Sequence, residues 1–439
     1  MWVKKIFVFI VVFSFCNVHA QIKMPNIEEV ATKFYNTYNI QELGYPVVDF
    51  EKRKLGWTVT TKRVEHGELV NDKSYLMYDA AIAVYYQIPI SKKIDDHFVD
   101  YKDYVDAYKI NMYQLHPFYG YAGWYKDVIN EYSNEANLTD SALYSLARAY
   151  SMYASSLINN QAGEAVKAEI FQLPLNNNCL NKQQLDLYNA IAQKSIQTFK
   201  KLQEQNSLFE TPVGKIAIKY ANEVMVQFHT YLTYANQLAN NFELPNHLYS
   251  DSIINQIKLQ LAACPQNAVL LSFGDNDFYP VLYVQHKLGV RKDVYVINES
   301  LLGLDRYIFS ATQPQLNSTG IQISLDTNFY KGVKNDYFSL EMNDSTMRFK
   351  DVIQLIKTKS LAKQDALKLP ANYFTFKKET ATIELQFNVP FLVKSNWVLI
   401  DILYNLKGRK FCVANKFYRP LDGLNKYFIE VDDTGVWIL

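Results

Sequence analysis

Residues that break regular structure are scarce in this chain. It has 15 Gly and 13 Pro in 439 residues, about half the usual shares of roughly 7% and 5%. That scarcity excludes collagen-like, low-complexity and wholly disordered chains, and it argues against an all-β fold with its many tight turns. Net charge is nearly absent too, with 45 Lys and Arg against 44 Asp and Glu. Such a balance leaves no electrostatic footprint for nucleic acid, so nucleic acid is excluded as a partner. Beyond residue 20 no apolar run reaches 18 residues, and the chain is not expected to span a membrane. Cysteine is sparse. Apart from Cys16, only Cys179, Cys264 and Cys412 occur, far apart and without a Cys-x-x-Cys pair. A disulfide framework and a zinc site are therefore not expected, and buried inert thiols are, with one bridge among the three left open.

Motifs of common enzyme classes are missing as well. The sequence has no Gly-x-Gly-x-x-Gly, no phosphate-binding loop and no Gly-x-Ser-x-Gly. His66, His97, His116, His229, His247 and His286 never pair at i, i+4, which removes the zinc-protease pattern, and each is expected to be a surface or capped histidine.

What is present starts with an address. Lys4 and Lys5, the apolar run Ile6 to Phe13, and Val18-His19-Ala20 read as a secretory signal peptide over residues 1–20. The expectation is an exported chain, periplasmic or extracellular after cleavage following Ala20. Residues 21–100 form a mixed N-terminal region, with Trp57 to Thr61 as a strand and Glu65 to Glu68 as its turn. A helical period governs residues 101–262. Tyr101, Val105, Tyr108 and Met112 share a face, as do Leu143, Ala147, Tyr150, Ala154 and Leu157. Leu185, Tyr188, Ala192, Ile196 and Phe199 make a third stripe, and Ile216, Tyr220, Val224, Phe228, Tyr231 and Ala235 a fourth. Asp140 is a candidate N-cap, and Thr211-Pro212 reads as an N-cap followed by a first-turn proline. Short connections predict antiparallel helical hairpins, tetratricopeptide-like or a plain bundle.

From residue 263 to 439 the texture becomes α/β. Ala268 to Phe273 is a continuous apolar run, the mark of a buried parallel strand. Val281 to Leu288 has helix length, and Asp293 to Ile297 is a second strand, completing a β-α-β unit. Ile321 to Leu325, Ile383 to Phe387 and Phe411 to Ala414 are further strands, and Phe349 to Leu367 and Asn396 to Tyr404 are helices. The fold class is thus a helical-hairpin region followed by an α/β domain with a mainly parallel sheet.

The densest polar cluster, Gly274-Asp275-Asn276-Asp277, sits at the carboxyl end of the first α/β strand, where open sheets bind ligands. Asn298-Glu299-Ser300 ends the next strand, and Asp305 follows. If the strands are neighbours, Asp275, Asp277, Asn298 and Glu299 crowd one rim. Carboxylates with an amide oxygen suit a divalent cation, Ca²⁺ or Mg²⁺, held by Asp275 and Asp277. They equally suit sugar hydroxyls, with Phe278, Tyr279 and Tyr283 as stacking surface. Turn and capping roles explain the same residues without a ligand, with Asp275 and Asn276 in a turn, Asp277 as N-cap of the next helix and Pro280 in its first turn.

The run Asn267 to Pro280, with Gly289 to Val294 continuing through Ser300-Leu301-Leu302 to Asp305 and Tyr307, resembles a known domain. It is similar to the soluble C-terminal domain of the bacterial protein O-mannosyltransferase-like family of multi-pass membrane proteins, a domain of unknown function. Leu399 to Leu403 with Asp401, then Gly423-Leu424-Asn425 and Tyr427, agree more loosely. The resemblance implies a shared α/β domain and an exported setting linked to glycan or envelope work. It does not extend to the family's membrane-spanning part, which would carry sugar transfer. Gly408 stands where the family has Trp, Lys410-Phe411 where it has Arg-Pro, and Glu299 where it tends to be apolar. The expected function is a non-catalytic binding or scaffold protein of the cell envelope, its partner an envelope protein or a glycan. The alternative is a metal-dependent enzyme acting on glycans or phosphate esters at the Gly274–Asp277 rim.

Overall fold

A computed structural model describes residues 24–38, 47–65, 68–90, 121, 123–158, 180–331, 335–361, 368–378, 381–414, 424, 427–431 and 434–439. The leader, the 101–112 stripe, the turn tip at 66–67, His97, His116, Cys179 and residues 362–367 lie outside them. The described residues divide into two compact units, one up to Asn130 and one from Glu131 onward.

The first unit packs helix α1 (Ile27–Tyr35) with four strands, β1 (Val47–Arg53), β2 (Gly56–Glu65), β3 (Glu68–Asp79) and β4 (Val84–Tyr85), antiparallel in that order. Helix α1 starts where it does because Asn26 and Glu29 make a reciprocal capping box. The expected strand at Trp57 to Thr61 lies within β2. Phe34, Phe50, Trp57 and Trp124, the last opening helix α2 (Trp124–Tyr132), are buried in this unit.

The second unit begins with helices α3 (Asp140–Ile158), α4 (Lys182–Gln205) and α5 (Ile216–Tyr234). Their apolar stripes are buried as the 3.6-residue period requires, with Leu143, Ala147, Phe199 and Phe228 almost fully enclosed and only Tyr220 and Tyr231 half-buried. Helix α3 packs on α4, and α4 on α5. Two local expectations change. The Thr139 hydroxyl, not Asp140, accepts from the Ala142 amide, while Asp140 accepts from Gln205 and Asn206 at the end of α4. Thr211-Pro212 does not open α5. The chain first reverses through a hairpin of β5 (Glu210–Thr211) and β6 (Gly214–Lys215), because Pro212 favours a turn and Gly214 takes φ of +113°. The Thr211 hydroxyl closes that turn on the Gly214 carbonyl.

Then comes the β-α-β unit. Helix α6 (Asp251–Ala263) leads to β7 (Val269–Ser272), helix α7 (Gly274–Leu288) and β8 (Tyr295–Asn298), with β7 and β8 parallel neighbours. Every residue of both strands is buried. Val269 and Leu271 face one apolar cluster and Leu270 the other, so the sheet is covered on both faces, which is why the sequence there reads as an unbroken apolar run. Helix α8 (Asp305–Ala311) follows. Strands β9 (Tyr337–Leu340), β10 (Thr346–Arg348), helix α9 (Phe349–Leu361) and strands β11 (Lys368–Leu369), β12 (Tyr373–Lys378), β13 (Ala381–Gln386) and β14 (Phe391–Val393) build two small three-stranded sheets. Helix α10 (Lys394–Tyr404) returns the chain to β15 (Phe411–Val413), beside β7, and β16 (Ile429–Val431) and β17 (Val436–Ile438) end it.

This main sheet runs β16-β17-β15-β7-β8. It is mixed rather than mainly parallel. Pairs β15/β7 and β7/β8 are parallel, whereas β15/β17 and β16/β17 are antiparallel. A connection as short as the one between β16 and β17 permits only an antiparallel pair, while the parallel pairs are those joined through long crossovers. Ile321 to Leu325 forms no strand. Its end residues are buried, but the Ile321 amide goes to the Ala311 carbonyl and the Ser324 amide to the Asp401 carboxylate, so no ladder can form. Asp401 is fully buried, and that burial lifts its carboxyl to about 6. No helix among the described residues is long and apolar enough to cross a membrane.

Candidate functional site

Gly274 to Asp277 is not a loop ahead of a helix; it is the first turn of α7. Gly274 turns the chain at φ of +69°, directly after β7. Asp275 and Asp277 lie where the helix dipole favours negative charge. Pro280 falls in the second turn rather than the first. Lacking an N–H, it leaves the Asn276 carbonyl without its usual helical donor.

Asn298 holds this turn from the neighbouring strand. Its buried side-chain oxygen accepts from the Gly274 amide and the Ser300 amide, both at 3.1 Å, so it fixes the start of α7 and the turn after β8 together. Asn298→Ala would strand both donors, and a loss of about 2 kcal/mol is expected. A urea midpoint unchanged from the parent would contradict that role.

Two cavities flank the first turn of α7. One, of about 300 Å³, is lined by Tyr188 from α4, by Val226, His229, Thr230, Thr233 and Tyr234 from α5, and by Asp275 and Tyr279 from α7. Leu301, Leu304, Arg306 and Tyr307 close it after β8, and Ser155 and Ile158 from α3. The other, of about 650 Å³, takes Asn222, Tyr249, Gln256, Gln260, Asn276, Asp277, Pro280 and Glu430 among its walls. Asp275 and Asp277 therefore open onto different cavities. Among the described residues no group of three or more His, Cys, Asp or Glu side chains gathers in a way that could hold a metal ion.

The remaining candidates divide in the same way. Asn276 is a tether: its oxygen accepts from Asn222 at 2.7 Å and its amide donates to the Val213 carbonyl at 2.9 Å. Tyr283 is a core residue, 1% exposed, whose hydroxyl donates to the Pro245 carbonyl. Tyr279 does reach the smaller cavity. Glu299 opens the short helical turn after β8, and Asp305 opens α8, where it accepts from the Arg306 amide. From that stretch the cavity wall takes Leu301, Leu304, Arg306 and Tyr307 instead.

Electrostatics in the smaller cavity are balanced. Asp275 keeps solvent-exposed surface at the mouth, yet it is recessed among protein atoms. That desolvation raises its carboxyl above the usual range, against the pull of Lys219 and with Glu223 adding to the rise. Burial lowers His229 to about 4, so its ring is neutral at pH 7. The ring packs edge-on to Phe278 and Tyr307 at 5.2 and 5.7 Å between centroids. Burial, with Asp275 close by, pushes the Tyr279 hydroxyl well up and keeps it protonated. Tyr188 and Thr230 share a hydrogen bond of 2.8 Å, the Tyr307 hydroxyl accepts from the Asn298 amide, and the Arg306 guanidinium lies 5.5 Å over the Tyr234 ring. The result is a recess with aromatic faces, hydroxyls, a neutral imidazole, one carboxylate and one guanidinium.

Sequence reasoning missed His229, Thr233, Tyr234 and Arg306, and it placed Tyr188 only as core. A signal was present. After Glu223 the rest of α5 has no Lys, Arg, Asp or Glu, while Gln227, Thr230 and Thr233 keep a polar face. A polar helix face without Lys, Arg, Asp or Glu is one that water does not cover.

Comparison with curated proteins finds no match, and neither does comparison with solved structures. Residues 254–388, which carry Asp275, Asn298 and Arg306 but not the α4 and α5 walls of the cavity, match the family described as TMEM260-associated domain 2, a domain linked to the membrane protein TMEM260.

Proposed function

We propose that the protein is an exported binding or scaffold protein of the bacterial cell envelope, and that the cavity beside Asp275 holds a saccharide. The observation that carries the reading is the cavity wall. Tyrosine and histidine rings offer stacking faces, while Asp275, Arg306 and the Thr and Tyr hydroxyls among the lining residues offer donors and acceptors. A neutral sugar ring presents apolar faces and a belt of hydroxyls that this mixture complements. The volume lies at the small end of ligand cavities, which suits one short saccharide rather than a long chain. The resemblance to the O-mannosyltransferase-like family supports a glycan setting. The helical hairpins, tetratricopeptide-like or bundled, supply the face for an envelope protein.

Titration calorimetry against a panel of mono- and disaccharides, mannose included, tests the reading. One member of the panel binds, and Asp275→Asn weakens it roughly tenfold or more, the worth of a hydrogen bond to a charged group. Asp277→Asn leaves it unchanged, since Asp277 lines the other cavity. Ca²⁺ and Mg²⁺ form the competing arm. A rise in melting temperature with either ion, lost in Asp275→Asn, would make this a cation site and the enzymatic alternative the better account.

A further inference from the structure

Cys264 is the residue that ends helix α6, and Cys412 is the middle residue of β15, in the centre of the main sheet. Both are buried free thiols, 3% and 0% exposed, in one apolar cluster. The Cys264 side chain, together with burial, pushes the Cys412 thiol well up, as a close neighbour does. Neighbouring contacts hold the two elements in the same approach. Gln260, one turn before Cys264, donates its side-chain amide to the Ala414 carbonyl at 3.1 Å, just past Cys412. The Cys264 thiol donates to the Gln260 carbonyl at 3.3 Å. Arg291 donates to the Cys264 carbonyl and pins the turn after α6.

We propose that Cys264 and Cys412 join in a disulfide that staples helix α6 to the central strand of the sheet. The oxidant is itself a disulfide, from a thiol–disulfide oxidoreductase or oxidised glutathione. One cysteine thiolate attacks it and releases a thiol; the second sulfur then displaces the other half. Two S–H bonds break, one S–S bond forms, and both electrons and both protons leave on the reduced oxidant. Because the folded core encloses both sulfurs, the exchange completes while the chain is folding. The bond closes a long loop, which removes entropy from the unfolded chain. It does not depend on what occupies the cavity beside Asp275.

The test uses the full chain, reduced and denatured, then refolded in oxidised or in reduced glutathione, alkylated, digested and mapped by mass. The oxidised sample yields a peptide pair linking Cys264 to Cys412, two hydrogens lighter than the free pair, with Cys179 alkylated. It also melts higher than the reduced sample by roughly 5–10 °C. In the Cys264→Ala, Cys412→Ala double variant that difference disappears. Alkylation of both cysteines in the oxidised sample, a link from either to Cys179, or equal melting temperatures would overturn the proposal. If the variant does not fold, the map of the unaltered chain decides.

Discussion

Replacing Lys219 with Met should destabilise the second unit by about 3 kcal/mol, a large share of the ~5–15 kcal/mol that holds a domain together. Glu223 is 5% exposed, inside the junction of α3, α4 and α5. Its carboxylate accepts from Lys219 at 2.9 Å and from the Ser195 hydroxyl at 3.0 Å, and Ser195 also donates to the Ala147 carbonyl. Burial alone would raise the Glu223 carboxyl. The Lys219 ammonium and the hydroxyls of Ser151 and Ser195 outweigh it and hold the group below its ordinary value. Without Lys219 the carboxylate is left buried and uncompensated. The cation over the Phe199 ring, 4.9 Å from its centroid, is lost as well.

The sign of the pH dependence separates this account from simple loss of packing. In the parent the folded Glu223 is the stronger acid. Its stabilisation is complete above the unfolded value and is lost as pH falls through the folded one. In Lys219→Met burial dominates, and the folded carboxyl becomes the weaker acid. The cost is then greatest at neutral pH and shrinks on acidification, as the group protonates. Urea unfolding at pH 7 and pH 5 reads both. Lys219→Met with Glu223→Gln should recover most of the loss. A cost under about 1 kcal/mol, or one that does not shrink at pH 5, would contradict the assignment.

Arg291→Ala should cost about 3–4 kcal/mol, from several charge-assisted hydrogen bonds lost at once. The guanidinium donates to the Leu261 and Cys264 carbonyls, both at 2.7 Å, to the Pro265 carbonyl at 2.9 Å, and to both oxygens of Asp293. It thereby closes the carboxyl end of α6 and fixes the entry to β8. Arg291→Lys should rescue little, because one ammonium cannot match a fork of donors aimed at four acceptor groups. The Arg291 hydrogen bond draws Asp293 down to about 2. That pair contributes stability present above the unfolded carboxyl value of roughly 4 and lost as pH falls toward 2. In Arg291→Ala the acid limb of the stability curve flattens over that window. Parallel acid limbs in parent and variant would contradict the pairing.

Much of the framework around the site is legible in the sequence, for physical reasons. The unbroken apolar run at Val269 to Ser272 needs a strand covered on both faces, and it has one. Asp275 and Asn298 stand at adjacent strand ends because a β-α-β unit places them there. What is not legible depends on competition between local preferences. Pro280 suggests a helix starting near Asp277, yet helix α7 absorbs it in its second turn. Ile321 and Leu325 have a strand's spacing, but a buried carboxylate claims the Ser324 amide. Thr211-Pro212 suits a cap and a turn equally, and Gly214 decides for the turn. The cavity itself needs walls from α4, α5, α7 and the segment after β8, and no single periodicity announces that His229 and Arg306 will meet Asp275 there.

That meeting is the centre of the account, and His229 is its most direct reporter. Its imidazole lies in the cavity wall, neutral at pH 7. Its ring proton resonances, assigned by their loss in His229→Gln, can be followed at pH 7 during titration with the saccharide found by calorimetry. The expected result is a saturable shift of the His229 resonances, absent in Asp275→Asn and retained in Asp277→Asn. Saccharide binding that leaves His229 unmoved, or a shift that survives Asp275→Asn and is lost in Asp277→Asn, would contradict it.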